Sequence, residues 1–314
     1  MASLSNAFLW SVSRDRHFQQ CPRLFYLRHY AHWGGWRLDA DDFAKLCYRL
    51  GKVKSLDAWA GEIVHEVIRE TLEKVRDGRP TSLEAMLSEA TERLRAGWVQ
   101  SQREQWRSDP KRATNLFEHY YHLDIPRERT EEIKRCVREC LENFWRSPDF
   151  DLIRRSDPGQ WKCLEEFQSF ELEGFTVALK IDFAMAHREW MYIYDWKTGR
   201  PREEDRRQLA CYALFGRRVW GIPAHRMRVI PAYLRQNLFD EREVTPSDLV
   251  EIQDYILRAC HRLLALLRDP AANRAVMEDF PMTSDRRTCR RCSFWEACYG
   301  NRHIEGRSRA GQER

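Results

Sequence analysis

No apolar run in the 314 residues approaches the length that a bilayer span requires, which excludes a transmembrane helix. Met1 to Ser13 has neither a basic leader nor a long apolar stretch, so no secretion signal is expected and a cytoplasmic location is. An excess of charge of one sign is also lacking. Against 48 Asp plus Glu there are 53 Lys plus Arg, and a net +5 permits a polyanionic partner without arguing for one. Lysine is the rarest base, 9 against 44 arginines, with none after Lys197. Arginine makes bidentate contacts to phosphate, so a nucleic-acid surface is compatible, and each lysine stands out as an exception. What is present, 43% hydrophobic and 32% charged residues, describes a rather polar globular chain. Its length suits one large domain or one domain with an insertion, and excludes a disulfide-stapled mini-protein. Ten cysteines are unusual for a cytoplasmic chain.

Ser11 to Phe18 reads as a helix cap and first turn, and Pro22 starts a second helical stretch through Tyr30. Gly34 to Asp42 reads as a loop. From Ser55, Ile63, Val64, Val67, Ile68, Leu72 and Val75 give a helix over 56–75, stopped by Gly78. Thr81-Ser82-Leu83-Glu84 reads as a capping box opening a long polar helix, with further helices near 114–124 and 127–147. The period then changes to two: Leu164 to Leu172, Phe175 to Ala186 and Trp190 to Lys197 form an antiparallel meander with turns at Glu173-Gly174 and Arg188-Glu189. A helix over Glu203–Val219, a strand over Met227–Leu234 and a helix over Ser247–Arg268 complete an α/β (α+β) core with one sheet. Gly300 to Arg314 reads as a mobile tail.

A two-residue turn at Arg188-Glu189 sets Asp182 opposite Asp195, with β-carbons about 5 Å apart. Two ionised carboxylates at that distance repel, and a hard divalent cation is the usual compensation. Lys197 shares a face with Asp195 because the strand period is two. For a lone D-x-K spacing, solvated charges at a hairpin end are the ordinary explanation. Here Asp182 follows an apolar run and Asp195 ends one.

With these residues the chain resembles the RecB-like branch of the PD-(D/E)XK nucleases, including the iron-sulfur exonucleases of CRISPR adaptation and bacterial recombination. Four blocks carry the resemblance: Ser11-x-Ser13 with Cys21-Pro22-x-x-Phe25, Gly61-x-x-x-His65, Asp182 with Asp195-Trp196-Lys197-Thr198-Gly199, and Gln208-x-x-x-Tyr212. It implies a restriction-endonuclease-like mixed sheet flanked by helices. It also implies that His65, Asp182, Asp195 and the carbonyl of Trp196 ligate Mg2+ or Mn2+, that Lys197 positions the attacking water, and that Gln208 and Tyr212 orient the site. A histidine on a partly apolar helix is by itself more often a core residue, and Gly61 opens space beside this one. Glu165 or Glu166 includes a further acidic position of the family, but alternation does not say which points inward, and neither joins the set.

Cys289-x-x-Cys292-x-x-x-x-x-Cys298 gathers three thiols, and three need a fourth. The resemblance supplies Cys21 and a 4Fe-4S cluster joining the chain ends. Zinc also suits four thiolates, though structural zinc more often uses two short pairs, and disulfides are disfavoured in the cytosol. Cys47, Cys136, Cys140, Cys163, Cys211 and Cys260 read as core residues.

The organisation expected is 1–76 for the N-terminal helices, 77–155 for an all-helical insertion, 156–280 for the nuclease core and 281–314 for the cluster motif and tail. The function implied is a metal-dependent deoxyribonuclease acting on single strands or duplex ends in recombination, repair, CRISPR or phage defence. Tryptophans interleaved with arginine, as in Trp33 to Arg37, are candidates to stack bases. The alternative is a non-catalytic iron-sulfur subunit, binding DNA or docking a protein partner of a helicase-nuclease or defence complex through the insertion.

Overall fold

The computed structural model describes residues 6–304; the tail expected from Gly300 lies mostly outside them. In chain order the helices are α1 (Val12–Gln20), α2 (Pro22–Tyr26), α3 (Asp42–Leu50), α4 (Leu56–Arg76), α5 (Leu83–Gln102), α6 (Phe117–Tyr120), α7 (Arg127–Arg146), α8 (Pro148–Arg155), α9 (Glu203–Arg218), α10 (Pro246–Leu264), α11 (Arg286–Cys289) and α12 (Trp295–Tyr299). The strands are β1 (Val53–Lys54), β2 (Asn115–Leu116), β3 (Trp161–Leu172), β4 (Phe175–His187), β5 (Trp190–Lys197), β6 (Met227–Tyr233), β7 (Leu238–Phe239) and β8 (Arg242–Glu243). Among the described residues no helix is long and apolar enough to cross a membrane.

The chain divides into two compact units, one drawing on Met1–Trp59, Arg95–Arg129 and Ala259–Arg314, the other on Ala60–Leu94 and Thr130–Arg258. The second unit carries the large mixed sheet, in the order β3-β4-β5-β6-β7, with β8 also paired to β6. The β3–β4 and β4–β5 pairs are antiparallel and β5–β6 is parallel. This is a mixed α/β sheet flanked by helices, of the restriction-endonuclease-like kind.

Local chemistry accounts for the elements. β5 reads Trp-Met-Tyr-Ile-Tyr, side chains that suit a pleated surface, and Ile193 and Tyr194 are fully buried. The β3–β4 turn uses Glu173 and Gly174, both at positive φ, as a tight hairpin demands. α9 joins β5 to the parallel β6 and buries Leu209 and Cys211 to Gly216. A Cβ on Gly216 would come within 2.9 Å of Met227 Sδ, so the absence of a side chain lets α9 lie close on β6. α5 begins one residue later than the Thr81–Glu84 box implies, because Ser82 Oγ accepts from Ala85 N at 3.1 Å.

The first unit gathers Leu24, Leu27, Leu50, Trp106, Tyr120, Tyr121, Phe294 and Trp295 in one apolar cluster. Two sequence expectations change here. The helix after Pro22 becomes a π-helical turn over Leu27–Ala31, and the 77–155 stretch contains a two-residue strand, β2, paired in parallel with β1. A pair that short is held by two residues on each side, too little for a period-two pattern to show. Five of the six cysteines assigned to the core are buried and Cys136 is half-buried.

Candidate active site

The site grows out of the β4–β5 hairpin. Phe183 pairs with Tyr194 and His187 with Trp190, so the turn holds two residues and Asp182 and Asp195 come next in step on their strands. Asp182 turns to the neighbouring main chain, and its Oδ2 accepts a hydrogen bond from Trp196 N at 2.7 Å. The Trp196 indole is buried, stacked on Tyr194 with ring centroids 5.2 Å apart.

From α4, His65 brings Nδ1 within 3.2 Å of Glu165 Oε1 and 3.5 Å of Asp182 Oδ1. One ligand atom from each of these three residues lies within 4.8 Å of the other two. Asp195 is not one of the trio; it stands with Lys197, whose Nζ is 2.6 Å from its Oδ2. Gly61 opens no space beside His65. It faces Thr198, and a Cβ there would meet Oγ1 at 3.2 Å, so the glycine brings α4 close to the end of β5.

Glu165 is the acid that alternation did not select. The β3–β4 pairing keeps step on both sides of it, Leu164 with Phe183 and Glu166 with Ile181. Its own backbone, however, is left-handed at φ 54°, a conformation that non-glycine residues adopt only where their surroundings hold it. The side chain is 5% exposed, while Glu166 faces solvent. Its second oxygen pairs with Lys180.

On the other side of Asp195, α9 presents Gln208 and Tyr212 one turn apart. Gln208 Oε1 accepts from Lys197 Nζ at 2.8 Å, and its amide nitrogen donates to Asp195 Oδ1 at 3.1 Å and to the Tyr212 hydroxyl at 2.6 Å. The Tyr212 hydroxyl donates onward to Lys180 O at 2.6 Å. Both donors and the acceptor of the amide are used, which fixes its orientation. Lys197 Nζ also lies 3.6 Å from Asp205, a residue the sequence reading did not single out.

Burial penalises both charge types here. It pushes the Asp195 carboxyl up to about 7, with Lys197 pulling it back and Asp182 raising it further. Burial alone would lower the His65 pKa, but Asp182 and Glu165 outweigh it and hold the imidazole well above its ordinary value. Asp195 Oδ2 is fully buried and meets the Lys197 ammonium at 2.6 Å. An imidazole nitrogen and two carboxylate oxygens within 4.8 Å of one another are a donor set that a divalent cation fits.

In the first unit Cys21, Cys289, Cys292 and Cys298 line one pocket, walled by Leu24, Leu27, Phe294 and Trp295. Cys21 Sγ accepts from Thr283 N and Cys292 Sγ from Phe294 N, each at 3.4 Å. Burial first, then the neighbouring thiols, pushes Cys292 up to about 12; burial likewise takes Cys298 up to about 11. All four are free thiols. Four free thiols around one apolar pocket, two of them accepting backbone N–H bonds, are the kind of donor set a thiolate-bound metal centre uses.

A search of curated proteins returns no match. The profile of the PD-(D/E)XK nuclease superfamily matches residues 9–299, a span that takes in the mixed sheet, both acidic strands, α9 and the four cysteines. The chain therefore belongs to the PD-(D/E)XK nuclease superfamily.

Proposed function

We propose that the chain is a Mg2+- or Mn2+-dependent deoxyribonuclease of the RecB-like branch, trimming single strands or duplex ends in recombination, repair or phage defence, CRISPR adaptation included. The observation that carries this reading is the close trio of His65, Glu165 and Asp182 beside the Asp195–Lys197 pair. His65, Asp182, Asp195 and the Trp196 carbonyl would hold the cation, with Glu165 added to them. A bound divalent ion supplies Lewis-acid stabilisation of charge building on the phosphoryl oxygens.

The protein's own groups do the rest. Lys197, steered by Gln208 Oε1 and Asp195, offers an ammonium at the edge of the carboxylates, where it orients a water toward phosphorus. Gln208 and Tyr212 tie that ammonium to the β4 backbone, so its position is set before substrate arrives. Lys180, half-exposed on the same strand as Asp182, offsets the charge of Glu165.

The four-cysteine pocket supports a 4Fe-4S cluster with a mechanical role. Cys21 follows α1, and Arg23 binds the segment before α11, its N donating to Pro281 O at 3.1 Å and its Nε to Phe280 O at 2.7 Å. A cluster there would clamp the two ends of the first unit together. The helical stretch of 77–155 is then the surface for a protein partner. Incubating labelled DNA with Mn2+ and either wild type or Asp195→Ala tests the enzyme reading: cleavage lost with the substitution supports it. Equal binding with no cleavage by either protein selects the non-catalytic subunit.

A further inference from the structure

The two oxygens of the Glu165 carboxylate have different partners. Oε1 lies 3.2 Å from His65 Nδ1, which is itself 3.5 Å from Asp182 Oδ1, while Oε2 is paired with the Lys180 ammonium. Lys180 reaches it by register. On β4 it stands two residues before Asp182 and so shares that residue's face of the strand. Across the sheet it pairs with Phe167, which makes Glu165, two residues earlier on β3, its diagonal neighbour, a separation that a long side chain spans.

The backbone that carries this ammonium is fixed as well. Lys180 O accepts the Tyr212 hydroxyl at 2.6 Å, and Tyr212 in turn accepts from the Gln208 amide that contacts Asp195 and Lys197. One residue therefore touches both halves of the site, its side chain on Glu165 and its carbonyl on the chain of hydrogen bonds to Lys197.

Glu165 is a residue that needs holding. Its φ of 54° is a conformation that persists only where the surroundings enforce it, and its side chain is 5% exposed. The Lys180 side chain is 54% exposed, so water damps the repulsion that its charge would exert on a cation beyond the carboxylate. Its contact with Oε2 is direct. The hold on the acid thus outweighs the repulsion.

We propose that Lys180 is a positioning residue for the metal site: by taking Oε2 of Glu165 it aims Oε1 at the place between His65 and Asp182 where a divalent cation is held. This deepens the metal-dependent reading and rests on it.

Calorimetric titration of Mn2+ into the full chain tests the proposal. Lys180→Met keeps the apolar stem and the carbonyl that Tyr212 uses but removes the ammonium. It should weaken Mn2+ binding about 10- to 100-fold, the usual loss when the partner behind a metal ligand is removed. Lys180→Arg, which keeps the ion pair, should recover most of the affinity. In a Glu165→Gln background there is no carboxylate to aim, so adding Lys180→Met should change binding by about twofold or less. Lys180 is half-exposed, and its substitution leaves the buried core intact. Mn2+ binding by Lys180→Met as tight as the wild type's, or tighter, overturns the proposal, because the ammonium then only balances or repels charge. Failure of Lys180→Arg to recover affinity overturns it too, as does an undiminished effect of Lys180→Met on top of Glu165→Gln. Each of those results, with Mn2+ still taken up by the wild type, leaves the metal-dependent reading standing. No uptake by the wild type removes both.

Discussion

Glu165 and His65, a hundred residues apart in the chain, meet at 3.2 Å because the Glu165 backbone leaves the extended region in the middle of a strand. A left-handed residue between paired neighbours of a ladder is costly, and such strain concentrates where side chains must be aimed. Glu165→Gln keeps the shape and removes the charge. It should weaken Mn2+ binding by at least the ~10- to 100-fold that loss of an outer ligand partner costs, as measured by calorimetry.

Lys197 depends on its neighbours. Gln208→Ala removes the acceptor at 2.8 Å and the donor to Asp195 together, so turnover should fall by about 10- to 100-fold while substrate affinity changes little. Tyr212→Phe is the milder change. It leaves the Lys180 carbonyl and one Gln208 N–H unpaired, and should lower stability by about 1–2 kcal/mol in denaturant unfolding with a smaller loss of rate.

In the first unit three half-buried imidazoles set an acid limit on stability. His17 and His32 are held at about 3 and about 4, and His29 is lowered as well, burial being the first cause in each. In the unfolded chain they take up protons near 6.5, so the stability is complete above that pH and is lost as pH falls toward 4. Between pH 7.5 and 5.5 each imidazole kept neutral should cost about 1 kcal/mol, visible as a lower urea midpoint. An unchanged midpoint would count against the burial of these groups.

Removing one thiol from the four-cysteine pocket should strip its metal. Cys292→Ala is expected to lose iron, its visible absorption and several degrees of Tm, whereas Cys47→Ala, a core thiol, should keep the iron. A Cys292→Ala protein that folds and cuts normally without iron would sink the clamp.

The sheet and much of the site were legible because they rest on local signals. Trp190–Lys197 declares itself by its aromatic, β-branched run, and the two-residue turn then dictates where Asp182 and Asp195 fall in the register. What could not be read depends on conformations that composition does not encode. Period-two alternation assumes an extended backbone, and Glu165 breaks it, so the choice between Glu165 and Glu166 had no sequence signal. Gly61 reads as opening room beside His65, but its contact is with Thr198, just past the end of β5 and more than a hundred residues later, and only packing reveals that. Asp205 was missed for a similar reason: it serves its own helix end by accepting from Arg202 N, and its approach to Lys197 comes with the placing of α9. The parallel β1–β2 pair joins segments some sixty residues apart and is too short for periodicity to register.

The most direct test of the central claim is Mn2+ titration followed by electron paramagnetic resonance, on wild type and on a His65→Ala, Asp182→Asn double variant that leaves the sheet intact by circular dichroism. Tight uptake by the wild type that disappears in the variant is the predicted result. Equal uptake by both proteins, or none by the wild type, would contradict it.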